Sequence, residues 1–155
     1  MEFTYDNVVK WFNDYFDAFN KNEGNPETVQ YMRKYFAPDL EFWSYNMPDE
    51  KRPADLEGLL SAMEHPGFRE VFTPQYYVVD ERRKIVVAQL QLQFTEKSTG
   101  TVFPPKQASA HYHLVQDENK DLKIKKILYF TEAASPGEPN IVDRMRKYRA
   151  EQANR

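Results

Sequence analysis

The sequence predicts an α+β domain in which three N-terminal helices pack on a strongly bent antiparallel sheet and leave a small, aromatic-lined pocket. Three observations carry this expectation. Apolar stripes at helical spacing occupy the first part of the chain, period-two segments occupy most of the rest, and the composition includes eleven Phe and ten Tyr. At 155 residues the chain has the size of a single domain and can bury about 70% of its unfolded surface.

The first helix is read over Asp6 to Asn20, with Thr4 or Asp6 as its cap. Val8, Val9, Trp11, Phe12, Tyr15, Phe16 and Phe19 form one broad stripe on it. Asn25-Pro26-Glu27 opens a second helix with a capping side chain, a proline at the first position and an acid. Pro38 is expected to stop that helix. Leu40, Phe42 and Ser44 then alternate with Glu41, Trp43 and Tyr45 as a short strand. The polar stretch Asn46 to Pro53 leads to a third helix with the stripe Leu56, Leu59, Leu60 and Met63, ending near His65-Pro66-Gly67.

Strands follow at Gln75 to Val79 and Ile85 to Thr95, joined by the charged turn Asp80-Glu81-Arg82-Arg83. In the second of these, Val86, Ala88, Leu90, Leu92 and Phe94 oppose Val87, Gln89, Gln91, Gln93 and Thr95, so one face is core and the other polar. A loop from Ser98 to Lys106 precedes a strand at Gln107 to Val115, and the turn at Asp117 to Asp121 returns a last strand, Leu122 to Thr131. Residues 133–155 read as a linker and a short basic helix capped by Asn140, outside a domain spanning residues 6–132.

The net charge of −3 gives no broad basic face for nucleic acid. Cysteine is absent, which removes disulfides and thiolate chemistry. The N-terminus lacks a signal-peptide pattern and no stretch is apolar enough for a membrane helix, so a cytoplasmic location is expected.

Tyr35-Phe36-Ala37-Pro38-Asp39-Leu40-Glu41-Phe42, Gly100-Thr101-Val102-Phe103-Pro104-Pro105 and the hairpin from His111 to Ile124, in this order and spacing, resemble the nuclear transport factor 2-like superfamily, nearest its SnoaL-like group. The resemblance implies a cone-shaped fold, frequent homodimers through the sheet, and pocket chemistry without metal or cofactor. Relatives include polyketide cyclases, ketosteroid isomerases and dehydratases, and also carriers and accessory subunits, so fold alone leaves function open.

In a strand, His111 and His113 share one face with Ser109. An imidazole takes up and returns protons near neutral pH, as enolisation, dehydration and aldol cyclisation require. On the resemblance, His111 stands where polyketide cyclases carry an aspartate base, and dehydratases keep polar residues at the places of Ser109 and His111. Alternation argues the other way. Ala108, Ala110, Tyr112 and Leu114 form the more apolar face, so the histidines point outward unless both sheet faces are buried.

Tyr15 matches the helix-one tyrosine that polarises a substrate carbonyl in the isomerase branch, and a buried phenol is a sound oxyanion donor. Ser44 falls where that branch has its aspartate base, and serine cannot fill that role. Ser44, Tyr45, Trp43, Phe103, Ser109 and Tyr129 are the candidate substrate contacts, with Phe103-Pro104-Pro105 as a lip of the pocket. His111, His113 and Glu118 are similar to a cupin metal set, but Glu118 lies in a turn and the helices do not suit that fold, so no metal is expected. Two functions follow as expectations. One is a cofactor-independent lyase, isomerase or cyclase acting on a small apolar carbonyl or hydroxyl compound through His111, His113 and Tyr15. The other is a non-catalytic binding or accessory protein.

Overall fold

A computed structural model of the chain describes residues 1–45 and 52–155, so most of the polar stretch before the third helix lies outside the described residues. Helix α1 spans Tyr5–Asn22, and the Thr4 hydroxyl accepts from the Asn7 N–H at its start. Its stripe buries Val8, Phe12, Tyr15, Phe16 and Phe19 in the core, as the spacing requires. Each such Phe contributes about 1.5–3 kcal/mol relative to exposure.

Asn25 caps the next helix through Glu27 N at 3.0 Å, with Pro26 in the first position. The helix is shorter than expected. Helix α2 covers Pro26–Val29 and tightens into a 3-10 segment, Gln30–Tyr35. Strand β1 (Phe36–Tyr45) starts at once, so Pro38 lies inside a strand and ends no helix. Pairing of β1 is interrupted between Phe36 and Glu41. The sheet edge tolerates the missing N–H of Pro38 there. Helix α3 covers Leu56–Met63 and buries Leu56, Leu59, Leu60 and Met63.

The remaining strands are β2 (Phe68–Asp80), β3 (Ile85–Glu96), a two-residue β4 (Thr101–Val102), β5 (Lys106–Gln116) and β6 (Leu122–Thr131). Their order is β1-β6-β5-β3-β2, with β4 on β3. One expectation is corrected here. β1 runs parallel to β6, so the sheet is mixed and not purely antiparallel. Side-chain alternation is the same in both orientations, so the sequence cannot reveal which strand neighbours which.

Strand β2 also begins seven residues before the expected Gln75. Its register with β3 shifts between Pro74 and Tyr76, and the β5–β6 register shifts between His113 and Leu114. Such bulges bend the strands and increase their twist. The Asn20 side chain fastens α1 to the bent edge. Its Nδ2 donates to Phe72 O at 2.8 Å and its Oδ1 accepts from Phe72 N at 2.9 Å, so the amide stands in for a neighbouring strand.

Helix α4 spans Ile141–Ala153, with Asn140 accepting from Val142 N and Asp143 N. The segment read as a linker and a short basic helix packs against the domain. Tyr148 packs edge-on to Phe68 at 5.8 Å, and Arg149 donates to Glu64 O at 3.0 Å.

Candidate functional site

Between α1, α3, the concave sheet face and α4 lies a cavity of about 440 Å³. Small-molecule sites occupy about 300–1,000 Å³. The aromatic side chains therefore do not fill the interior. Phe16, Phe19, Phe42, Phe72, Phe94 and Phe103 form part of its apolar wall. The polar groups on the wall include Tyr15, Ser44, His65, Glu70 and Tyr129.

The most reactive arrangement among them is His65 with Glu70. Both flank the start of β2, His65 just before it and Glu70 two residues inside it. The imidazole is only 4% exposed. Its Nδ1 lies 3.2 Å from the Phe68 carbonyl, and its Nε2 lies 2.8 Å from Glu70 Oε2. A carbonyl only accepts, so Nδ1 carries a proton. The Glu70 contact is short, although its angle departs from ideal hydrogen-bond geometry. An unprotonated Nε2 would set its lone pair against the carboxylate. Burial alone would lower the His65 pKa, but the Glu70 hydrogen bond and charge, with the Phe68 carbonyl, outweigh it and leave the value raised. The fold thus sets an imidazole with a raised pKa beside a carboxyl group on the cavity wall.

Gly24 is the other half of this arrangement. Its φ is +70°, and a Cβ there would stand 2.2 Å from His65 Nδ1. Its carbonyl accepts from His65 N at 3.1 Å. Only glycine gives both the left-handed turn after α1 and the space for the ring.

Three phenols, Tyr15, Tyr112 and Tyr129, line the same space. Burial pushes the Tyr15 hydroxyl well above the ordinary phenol range, and the charges of Glu70 and Tyr35 push it further. Tyr129 is raised by burial and by Glu70, against a smaller opposing hydrogen bond to Thr131. Tyr15 and Tyr129 therefore stay protonated and able to donate. The Ser44 hydroxyl is 2% exposed, and its Oγ has no partner among the described residues. A buried hydroxyl without a partner is costly, and a bound molecule on this wall would supply one.

Of the sequence candidates, Tyr15, Ser44, Phe103 and Tyr129 line the cavity together. His111, His113, Ser109, Trp43 and Tyr45 do not. In β5 the buried residues are Ala108, Ala110, Tyr112 and Leu114, so the intervening His111, His113 and Ser109 face outward. The expectation that the two histidines enter the pocket is corrected by the same period-two rule that argued against it. His111 instead lies 5.5 Å from the Phe130 ring, which stacks on Tyr45 at 4.6 Å. Burial, followed by the charges of Lys126 and His111, lowers the His113 pKa.

Sequence reasoning missed His65 and Glu70. His65 was absorbed into a helix-ending tripeptide, and Glu70 preceded the expected strand. The available signal was an acid inside the inward row Phe68, Glu70, Phe72.

Solved structures share this architecture. AusH from Aspergillus nidulans superposes with a TM-score of 0.63 at 14% identity, covering 85% of this chain and 88% of that one. Nuclear transport factor 2 from Cryptosporidium parvum gives 0.61 at 12% identity over 80% and 90% of the two chains. A putative SnoaL-like polyketide cyclase from Jannaschia sp. CCS1 gives 0.58 at 15% identity over 81% and 85%. The chain shares the fold of these nuclear transport factor 2-like and SnoaL-like structures. No family model matches the sequence, and no curated protein matches it. At such identities the shared fold does not carry the neighbours' chemistry to this chain. Within the nuclear transport factor 2-like frame, the acid–base pair of this chain sits at the α3–β2 junction, away from the β5 positions to which the sequence resemblance pointed.

Proposed function

We propose that the protein performs cofactor-independent general acid–base chemistry on a small, apolar carbonyl or hydroxyl compound held in the cavity. The observation that carries this reading is the His65–Glu70 pair on a wall shared with two protonated phenols. The Glu70 carboxylate takes a proton from the carbon beside a substrate carbonyl, and the released electron pair moves onto the carbonyl oxygen. Tyr15 or Tyr129 donates a hydrogen bond to that oxygen as its charge develops. The proton then returns to a different carbon in an isomerisation, or imidazolium protonates a departing hydroxyl in a dehydration. His65 and Glu70 take the base role first expected of His111 and His113, and Tyr15 keeps its role as donor.

A generic probe tests this. In deuterated buffer, the wild-type protein is expected to speed exchange of the α-protons of 2-tetralone well beyond the Glu70→Gln variant, read by proton NMR. Equal rates for the two, with the ketone bound, would leave the non-catalytic carrier as the correct account.

We also propose a homodimer through the outer sheet face. Trp43, Leu128, His111, Val87 and Val78 lie side by side across five strands there, and Val78 is 57% exposed. Sedimentation of wild type against Val78→Lys checks it. A monomer in both would refute it.

A further inference from the structure

Helix α4 contributes Ile141, Val142, Met145 and Arg146 to the cavity wall, yet none of its residues is fully buried. It is fastened at its rim. Arg144 pairs with Glu96 at 2.6 Å, Arg149 donates to Glu64 O, and Lys106 pairs with Glu138 just before the helix. Tyr148 rests over Gly67, whose φ is +93° and where a Cβ would stand 2.6 Å from the ring. The domain therefore carries a notch shaped for this side chain. The other walls are anchored differently. α1 and α3 bury whole stripes, and Phe103 is 5% exposed with its N–H on Phe94 O at 2.9 Å.

We propose that α4 is a gate: it closes the cavity, and ligands enter when it lifts from the Gly67 notch and releases its Arg144–Glu96 and Lys106–Glu138 ties. This rests on the cavity being the ligand site and is independent of whether catalysis follows. Arg144 is 43% exposed, so its tie is open to screening by salt. The apolar inner side of α4 explains why closure over an apolar ligand is favoured: Ile141, Val142 and Met145 would then lie against the guest, not against solvent.

The test is stopped-flow binding of N-phenyl-1-naphthylamine, an uncharged fluorescent probe, to the full-length protein. Raising salt from about 0.05 M to about 0.5 M is expected to speed entry about five-fold or more, because it weakens the ties and leaves the neutral probe unaffected. Arg144→Glu should enter faster at low salt and show a smaller salt dependence, the Lys106–Glu138 tie supplying the rest. The exchange Arg144→Glu with Glu96→Arg should restore slow entry. Tyr148→Ala should enter fast at any salt. Hydrogen exchange should show the amides of residues 141–153 opening far more often than those of β5.

Entry rates indifferent to salt and to Arg144→Glu, or α4 amides as protected as β5, would overturn the gate. Absence of probe binding would overturn both gate and cavity. Salt-dependent entry, combined with equal deuterium exchange by wild type and Glu70→Gln, would keep the gate and sink only the catalytic reading.

Discussion

Replacing Glu70 with Gln removes the charge that raises the His65 pKa while keeping the side chain's size. In the wild type the folded His65 pKa is raised above its unfolded value. Its stabilising contribution is therefore fully present below about pH 6.5, the unfolded value, and is lost as pH rises through the folded pKa. In Glu70→Gln the balancing interactions shrink to the backbone of Phe68 and of His65 itself, and burial, the largest influence on this ring, then pulls the pKa down. The sign reverses. The variant should gain stability as pH rises through its depressed folded pKa toward about 6.5, where the wild type has not yet begun to lose it.

The size follows from the nearly buried contact at 2.8 Å. A charge-assisted contact of this kind contributes about 1.5–3 kcal/mol, so the variant should be less stable by about that much at pH 5.5. For a domain of this length each kcal/mol moves Tm by about 2–4 °C, giving a deficit of about 3–12 °C. The gap should narrow steadily toward pH 8.5. Thermal melts of both proteins at intervals across this window measure it, and the difference between them cancels titrations common to both. A gap that stays constant or widens with pH would show that Glu70 does not protonate His65, and the acid–base pair would fall.

Three further outcomes are expected. Gly24→Ala forces a side chain into a left-handed turn and against the His65 ring, so it should cost at least about 2 kcal/mol in urea denaturation. It should also bring the His65 pKa down, as read by imidazole NMR. Ser44→Ala deletes a buried hydroxyl without a partner. It should leave stability unchanged or raised by about 1 kcal/mol, while weakening binding of a hydroxylated aromatic such as 2-naphthol by calorimetry. A loss of stability instead would mean that the hydroxyl already has a partner. His111→Ala with His113→Ala should leave naphthol affinity and 2-tetralone exchange unchanged, because both rings lie on the opposite sheet face.

The legible parts of the fold were those where local pattern and tertiary packing agree. The α1 stripe, the Asn25-Pro26 start, the α3 stripe and the alternation of β3 all appear where the spacing put them. The bounds of β6 match residue for residue. What was hidden depends on partners distant in sequence. Pairing of β1 with β6 joins residues such as Trp43 and Leu128, and no local pattern records the direction of that pairing. Pro74 concealed the first half of β2 because proline argues against a strand, although a bulged edge accommodates it.

The site was half legible. Tyr15, Ser44, Phe103 and Tyr129 sit on apolar rows whose inward direction the periodicity gives. For His111 and His113, residue type pointed inward and alternation pointed outward, and alternation was right. A lone His at a helix end and a lone Glu near a proline carry no pattern. Only the fold brings His65 and Glu70 to 2.8 Å.

The chain holds three histidines, and they report on the two sheet faces separately. Imidazole proton–nitrogen NMR during titration with 2-naphthol is therefore the most direct measurement. The His65 signals should move or broaden as the ligand fills the hollow, while those of His111 and His113 stay in place. Shifts at His111 and His113 with a silent His65 would put the ligand on the outer surface and contradict the account.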